Sequence, residues 1–190
     1  MNSQIKSIRK VKLLKTSCYW YWVILLFVFS SSALAAPEVL GWLEGAYLQP
    51  WGVRVRAKLD TGAITSSIHA EKIETFEKDG EQWLRFHFPY GKKEGYENGF
   101  MIERPIRRQS SVKEHVGENA TRYVVELDIC VSGDIFTVEV SLADRTKFNY
   151  PLIIGRRALS ERFIVDPGKS FTGSRSCPRR NRHTGKIEIK

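Results

Sequence analysis

The chain has 190 residues and a formal net charge of +9, with 30 Lys and Arg against 21 Asp and Glu. The charge is uneven, because residues 36–167 hold 18 Lys and Arg against 20 Asp and Glu, whereas residues 168–190 hold seven basic residues against one Glu. A nearly neutral folded part argues against nucleic acid as a partner, since a nucleic-acid-binding domain shows its basic residues as a patch on the fold.

The first 35 residues have the order of a secretory signal peptide. Five basic residues open the chain, an unbroken apolar run covers 18–29, and the tripeptide Ala-Leu-Ala at 33–35 is a small-residue cleavage pattern. The apolar run has 12 residues, whereas about 20 are needed to span a bilayer. We therefore predict cleavage rather than a retained anchor, and a periplasmic or secreted mature protein that begins near Ala36.

After the leader, short runs alternate apolar and polar residues, which is the period of a strand with one buried face. Strands are predicted in the segments 53–59, 83–88, 123–131, 135–142, 150–155 and 163–165, with a brief helix after Gly155. Turn signals occur at Asp79-Gly80 and at 132–134. Regular short strands between turns predict an all-β fold, with the domain covering residues 36–167.

The remaining segments have weaker signals. Two loops, 89–99 and 107–121, are long for a compact domain, and loops of that length are often functional. Residues 168–190 are basic and poor in apolar side chains, which predicts a disordered tail able to contact an anionic envelope weakly. Cys130 and Cys177 remain after the leader, and from the sequence a disulfide and two free thiols are equal alternatives.

Asp60 follows the first alternating strand and opens the motif LDTGA. Asp-Thr-Gly alone is ordinary turn chemistry, but the motif LIIGR follows about 90 residues later, before the predicted helix. The pair resembles the two motifs of retropepsins, the single-domain aspartic proteases of retroviruses. More narrowly, residues 41–167 resemble a bacterial family of retropepsin-like peptidases that also carries the label ATP-dependent zinc protease. The resembling segments are GWLEGAYL, AKLDTGAITSSIHA, WLRFHF, LADRTKFNYPLIIGRRAL and FIVDP.

This resemblance implies a small closed acid-protease barrel with one short C-terminal helix, acting as a homodimer. Asp60 would be the catalytic carboxylate, and because the chain has one such triplet, the second acid would come from a partner subunit. Thr61 would brace the loop across the two halves, and Gly62 would let backbone N–H groups approach the carboxylate. The resemblance gives supporting roles to Ala63 and Thr65 in the loop and to the second motif, Ile153, Ile154, Gly155 and Arg156.

The chain departs from the retroviral pattern at two places. Retroviral enzymes have an acid shortly after Gly-Ala that pairs with the Arg of the second motif, whereas this chain has Ile64 and Thr65 there. Arg156 is therefore expected to pair with Asp144 or Asp166. The flap, the hairpin that covers the cleft, is expected at 107–121 rather than 89–99, although this segment is polar where a retroviral flap is rich in glycine.

Metal and nucleotide signatures do not occur in the sequence. There is no His-Glu-x-x-His, Cys-x-x-Cys or Walker A motif, and the four histidines, His69, His87, His115 and His183, are dispersed. We therefore predict neither a metal nor a cofactor, and we expect His69 and His87 to be hydrogen-bonded polar groups.

The predicted function is an aspartic endopeptidase that cleaves protein or peptide substrates. One alternative is a non-catalytic β-barrel module that binds a peptide or a wall component of the envelope, and a zinc-dependent hydrolase is another. The intact Asp60-Thr61-Gly62 favours the peptidase, because a binding module has no need of a carboxylate at a dimer axis.

Overall fold

The computed structural model describes residues 36–112, 120–180 and 187–188. The predicted signal peptide lies outside the described residues. The strands are β1 (Glu38–Leu48), β2 (Val53–Asp60), β3 (Ser66–His69), β4 (Glu71–Lys78), β5 (Glu81–Phe88), β6 (Phe100–Pro105), β7 (Arg108–Val112), β8 (Ala120–Val131), β9 (Asp134–Ala143), β10 (Leu152–Gly155), β11 (Phe163–Ser170), β12 (Arg179–Arg180) and β13 (Ile187–Glu188). One short helix, α1, covers Arg156–Leu159. In the described ranges no helix has the length and apolar character needed to cross a membrane.

Six strands form a closed barrel of mixed parallel and antiparallel pairs. Their order is β1, β2, β10, β3, β9 and β8, and the pairing of β8 with β1 closes the ring. The pairs β2–β10 and β3–β9 are parallel, and the other neighbours run antiparallel. Strand β11 extends the sheet beside β1, and β7 extends it beside β8. The predicted all-β barrel with one short C-terminal helix is confirmed.

Alternation along the barrel strands separates the core from the surface. In β2, sequence VRVRAKLD, the four apolar side chains are buried and the two arginines are exposed. Leu127 of β8 and Val138 of β9 are cross-strand partners that both face the core. Because successive side chains of a strand point to opposite faces, the period-two pattern of the sequence identifies the inward-facing set.

Strands β4, β5 and β6 form a separate three-stranded antiparallel sheet. The predicted turn at Asp79 and Gly80 connects β4 to β5, and both residues have positive φ, 52° and 76°. Leu84, Phe86 and Phe88 of β5 are fully buried and belong to the same core cluster as the barrel residues. This sheet therefore shares one continuous core with the barrel.

The two long loops differ in structure. Residues 89–99 form a compact connection that contains a short 3-10 helix at Lys92–Glu94. Residues 107–121 are largely a hairpin rather than an irregular loop, because 108–112 form β7 and pair with β8. The connection of this hairpin, 113–119, lies outside the described residues. Strand β7 has the sequence RQSSV, in which one apolar residue gives no period-two signal.

The folded domain ends later than the sequence predicts. Strand β11 runs through the predicted boundary after residue 167 to Ser170. Residues 171–178, which we call the strap, bind the barrel, and Cys130 and Cys177 form a disulfide across 47 residues of chain. The disulfide settles the alternative that the sequence left open. Composition predicts disorder here because apolar residues are few, but hydrogen bonds and a cross-link hold the strap instead.

The strap is organised around Glu44, a carboxylate of β1 that is 3% exposed. Its Oε1 accepts hydrogen bonds from the N–H groups of Gly41 and Thr172, at 2.9 and 2.8 Å, and from the Thr172 hydroxyl at 2.9 Å. The N–H of Gly173 donates to Oε2 at 3.3 Å. A buried carboxylate is stable only when its oxygens are hydrogen-bonded, so the strap supplies most of what Glu44 requires.

Candidate active site

Asp60 is the last residue of β2, and the chain turns sharply after it into residues 61–65, which we call the active loop. The Gly62 N–H donates to Asp60 Oδ1 at 3.1 Å, which is the contact that the resemblance implies for Gly62. The ammonium group of Lys58 lies 2.9 Å from the other oxygen, Oδ2. The carboxylate therefore has a fixed orientation, with one oxygen bound by the backbone and the other by a cation.

The pKa of Asp60 lies below its usual value. Partial burial acts to raise the pKa, but the hydrogen bond and charge of Lys58, together with the N–H groups of Gly62 and Ala63, lower it by more. In a single chain the carboxylate is thus ionised near neutral pH, the form that can accept a proton from water.

The second motif lies directly beside the first. Strand β10 runs parallel to β2 and places Gly155 level with Asp60. The N–H of Arg156 then donates to the carbonyl of Ala63 at 2.8 Å, which ties the start of α1 to the active loop. Ile154, the residue before Gly155, is fully buried. Two motifs that are distant in sequence are therefore joined by adjacent strands and by the backbone.

Gly155 is a point of close approach. A Cβ atom at this position would lie 2.8 Å from the carbonyl carbon of Thr65 and 2.9 Å from the oxygen of Ile64. Contacts that short do not occur for real side chains, so the active loop can pack on β10 only where the residue is glycine.

The prediction that Arg156 pairs with Asp144 or Asp166 is wrong. The Arg156 guanidinium donates to the carbonyl of Gly62 at 3.3 Å, so it supports the active loop directly. Both carboxylates accept hydrogen bonds from residues two or three positions further along their own turns. Asp readily caps its own turn in this way, and no local pattern separates that role from a distant pairing.

A cavity of about 470 Å³ opens beside the active loop, and we call it the cleft. Loop residues 63–65, Ile153 of β10, and Ser110 and Ser111 of β7 are among the residues that line it. The segment that the sequence analysis expects to be the flap therefore contributes two residues to the cleft.

Two arginines, Arg122 and Arg145, also line the cleft. Arg145 is 7% exposed, with its Nε bonded to the Tyr150 carbonyl at 3.0 Å and its guanidinium 4.7 Å from the Phe148 ring. Desolvation and then the charge of Arg122 lower the pKa of Arg145. Within the described chain, the buried hydroxyl of Ser67 in the same wall has no hydrogen-bond partner. Positive charge and a free hydroxyl suit a bound carboxylate.

An ion-pair cluster next to the active loop is not predicted by the sequence. The Oε2 atom of Glu139, on β9, accepts hydrogen bonds from Arg108 at 2.8 Å and from Arg157 at 3.1 Å. Arg108 also donates to the hydroxyl of Thr65 at 3.3 Å. Alternation places Glu139 on the outer face of β9, but its partners lie 31 residues earlier and 18 residues later, and no local pattern connects them.

His69 and His87 converge on the carboxylate of Glu71. His69 Nε2 and His87 Nδ1 each lie 3.2 Å from a different oxygen of Glu71. The hydrogen bond from His69, followed by that from His87, lowers the pKa of Glu71. The N–H of Arg145 donates to His69 Nδ1 at 2.8 Å, and His87 Nε2 lies 2.7 Å from the carbonyl of Asn98. Both rings are thus hydrogen-bonded, as the sequence predicts. Across the described residues, no group of three His, Cys, Asp or Glu is placed to hold a metal ion.

A family model described as RimB-like, retropepsin-like aspartic endopeptidase RimB, matches residues 39–176. The chain belongs to this family. The match to the RimB-like family includes the active loop, the β7–β8 hairpin, the second motif and most of the strap.

A solved structure from Legionella pneumophila, titled as a protein of unknown function (DUF785), is 34% identical to this RimB-like chain, with a TM-score of 0.60. The similarity covers 71% of this chain and 97% of that one. Two curated relatives carry the name "Probable alpha-L-glutamate ligase": the one from Desulfotalea psychrophila is 29% identical over 133 residues, and the one from Shewanella pealeana is 33% identical over 117 residues. These matches cover 70% and 62% of this chain, but only 28% and 25% of the relatives. The chain therefore spans about a quarter of their length.

Proposed function

We propose that the mature chain is an aspartic endopeptidase that hydrolyses peptide bonds in protein or peptide substrates, without a cofactor. The observation that carries this proposal is the Asp60 carboxylate, which ends a barrel strand, is oriented by the Gly62 N–H and lies close to the cleft. Membership of the RimB-like family supports it. Two copies of Asp60 would share one proton, so that one carboxylate activates water and the other protonates the substrate carbonyl.

The proposed dimer rests on stoichiometry and on the exposure of the active loop. The chain supplies a single Asp-Thr-Gly triplet. Thr61 and Gly62 are exposed, and Ile64, a large apolar residue, is 52% exposed directly beside them. A self-complementary contact of two active loops would cover Ile64 and bring the two Asp60 side chains to one axis.

A subunit-mixing experiment tests the shared site. Wild-type protein and Asp60→Ala are unfolded and refolded together at varying ratios and constant total concentration, and cleavage of a peptide library is measured. A dimer with a single carboxylate should lose about 10² to 10⁴ in rate, as expected for removal of a general acid or base. Activity should therefore follow the square of the wild-type fraction, with about a quarter left in an equal mixture.

The other outcomes separate the alternatives. A linear fall with the wild-type fraction would mean that each chain holds a complete site, and the shared dyad would be wrong. Peptide binding without cleavage by wild-type protein would favour the non-catalytic module. Activity that is lost in a chelator and restored by zinc would favour the zinc-dependent hydrolase.

We also propose that the cleft prefers acidic peptides. Arg122 and Arg145 give its wall positive charge, and the free hydroxyl of Ser67 can donate to a carboxylate. The curated relatives are named for ligation of glutamate, which suits the same preference. A glutamate side chain in the substrate would place a carboxylate against these groups.

Replacement of Arg145 tests this preference. Arg145→Met should lower kcat/KM for a glutamate-containing peptide by about 10- to 100-fold, the usual effect of losing a hydrogen bond to a charged group, and should change the value for the matched glutamine peptide little. Arg85→Met is the control, because Arg85 is bound to Glu74 in the separate sheet. An equal loss for both peptides would show that Arg145 does not select charge.

We propose, finally, that the protein works in the periplasm or is secreted. The order of residues 1–35 and the disulfide between Cys130 and Cys177 support this, because disulfides persist in oxidising compartments. N-terminal sequencing of the mature protein should begin near Ala36, and a membrane-bound chain that retains Met1 would contradict the proposal. Any contact of the basic C-terminal residues with an anionic envelope should weaken as salt rises.

A further inference from the structure

Three elements around the active loop meet at a single carboxylate. Glu139 projects from barrel strand β9 and binds Arg108, at the start of the β7–β8 hairpin, and Arg157, in α1. Arg108 donates to Glu139 Oε2 through both Nε, at 3.2 Å, and Nη2, at 2.8 Å. A guanidinium held by two N–H groups has little freedom to rotate, so its remaining contact has a defined direction.

That remaining contact reaches the active loop. Arg108 Nη2 also lies 3.3 Å from the hydroxyl of Thr65, the last residue of the loop. A chain of contacts thus leads from Glu139 on the barrel, through Arg108, to the active loop, which directly follows Asp60. The same arginine is the first residue of β7, which contributes Ser110 and Ser111 to the lining of the cleft.

The retroviral pattern has an acid at the position of Ile64 or Thr65, and this chain has none there. A negative charge nevertheless lies next to the loop. Glu139 of β9 is bound by Arg108, which also contacts Thr65, and by Arg157, the residue directly after the second motif. The hydrogen bond from Arg108 is the main cause that lowers the pKa of Glu139, and the charge of Arg157 lowers it further. The carboxylate is therefore ionised at neutral pH.

We propose that Glu139 is a positioning residue of the peptidase, which fixes Thr65 and the first strand of the hairpin through Arg108 and so replaces the acid missing from the active loop. The inference rests on the proposed function. Glu139 itself is not proposed to contact substrate, and its effect passes through the other two side chains.

The neighbouring strand supplies a matched control. Glu126 of β8 is the direct cross-strand partner of Glu139. Arg107, the residue before Arg108, donates a hydrogen bond to Glu126 at 2.7 Å. The two pairs have the same chemistry and adjacent positions, but the contact with Thr65 belongs to Arg108. Replacing Glu126 therefore reproduces the loss of a charge without the loss of the proposed support.

The experiment compares Glu139→Gln with Glu126→Gln in the full mature protein. Glu139→Gln should lower kcat by about 10-fold or more with KM changed less than threefold, because the loop is held in the reactive geometry less often. Glu126→Gln should stay within about twofold of wild type in both parameters. Thr65→Val should reproduce part of the Glu139→Gln loss, and the double variant should be less impaired than the product of the two single effects.

Hydrogen exchange supplies a readout that does not need activity. The peptide covering residues 60–66 should exchange at least about threefold faster in Glu139→Gln and be unchanged in Glu126→Gln, since loosening of a local element raises exchange there. If wild-type protein cleaves no peptide, the proposed function fails, while exchange still decides whether Glu139 holds the loop.

Unchanged exchange and unchanged kcat in Glu139→Gln would overturn the inference. If that variant does not fold, Arg108→Gln decides in its place, with Arg107→Gln as its control, because Arg108→Gln leaves Glu139 bound to Arg157. Equal effects of the Arg108 and Arg107 variants, or strictly multiplicative effects of Glu139→Gln and Thr65→Val, would also overturn it.

Discussion

The charge state of Asp60 depends on Lys58, two residues earlier on the same face of β2. Residues i and i+2 of a strand share a face, so this pair follows from the sequence once the strand is recognised. Asp60 and Gly62 were identified by the Asp-Thr-Gly motif and the resemblance to retropepsins, while strand periodicity placed Asp60 at the end of β2. Neither the motif nor the periodicity could identify Glu139 or Arg145, whose roles depend on partners from other strands and not on their immediate neighbours.

Removing the charge of Lys58 should move the pH profile of peptide cleavage. The hydrogen bond and the charge of Lys58 lower the pKa of Asp60, and the charge of Asp60 also acts on Arg145. In Lys58→Met both limbs of the bell-shaped profile of kcat/KM should therefore shift to higher pH, because a positive charge beside the carboxylate is lost. Lys147→Met, an exposed change elsewhere, should leave the profile in place; a shift to lower pH in Lys58→Met would contradict the assignment.

Gly155→Ala should destabilise the active loop by steric overlap alone. Gly155 has φ −81°, which alanine adopts without strain, but its Cβ would meet the backbone of Thr65 at 2.8 Å. Overpacking of this kind costs about 1 to 3 kcal/mol, which urea denaturation should detect together with a fall in kcat. Gly168→Ala, at the exposed end of β11, should change the free energy of unfolding much less.

Among the elements, strands with alternating sequences were predicted well, and those without alternation were not. The pattern in β2, β5, β8 and β9 follows from one buried face, which the barrel provides. Strand β7 and the strap are polar and are held by pairing, by hydrogen bonds to Glu44 and by a disulfide. These forces depend on distant residues, so local composition wrongly indicated an irregular loop and a disordered tail.

Deleting residues 172–190 should destabilise the barrel, contrary to what a disordered tail implies. The deletion removes the disulfide partner Cys177 and three of the four hydrogen bonds to the buried Glu44. Loss of the cross-link that closes this loop and loss of donors to a buried carboxylate together should lower the free energy of unfolding by about 3 to 5 kcal/mol. Deleting only 181–190 keeps both features and should have little effect; equal stability of the two truncated proteins would contradict the prediction.

For the whole molecule, the exposed apolar residue in the active loop has the largest consequence. In a single chain Ile64 is open to water beside the proposed catalytic acid. Because the chain provides one Asp-Thr-Gly, the proposed chemistry makes activity a property of two molecules. Concentration should then control activity by mass action.

Ile64→Glu should prevent association. Sedimentation should give a monomer mass for this variant and a dimer mass for the wild type, and wild-type specific activity should fall on dilution below the dissociation constant. Ile73→Glu, on β4 of the separate sheet, is the control and should remain dimeric. Constant specific activity over a wide dilution range, with a monomer mass throughout, would contradict the dimer.

The bonds between the strap and Glu44 also set an order in which the chain can fold. Glu44 lies in the first strand, and residues 172 and 173, which supply three of its hydrogen bonds, are 128 and 129 positions further along. During synthesis, the donors from the strap are therefore missing for the carboxylate of β1 until all six barrel strands have been made. Contacts of such long range form late, so we expect the burial of Glu44 to be among the last steps of folding.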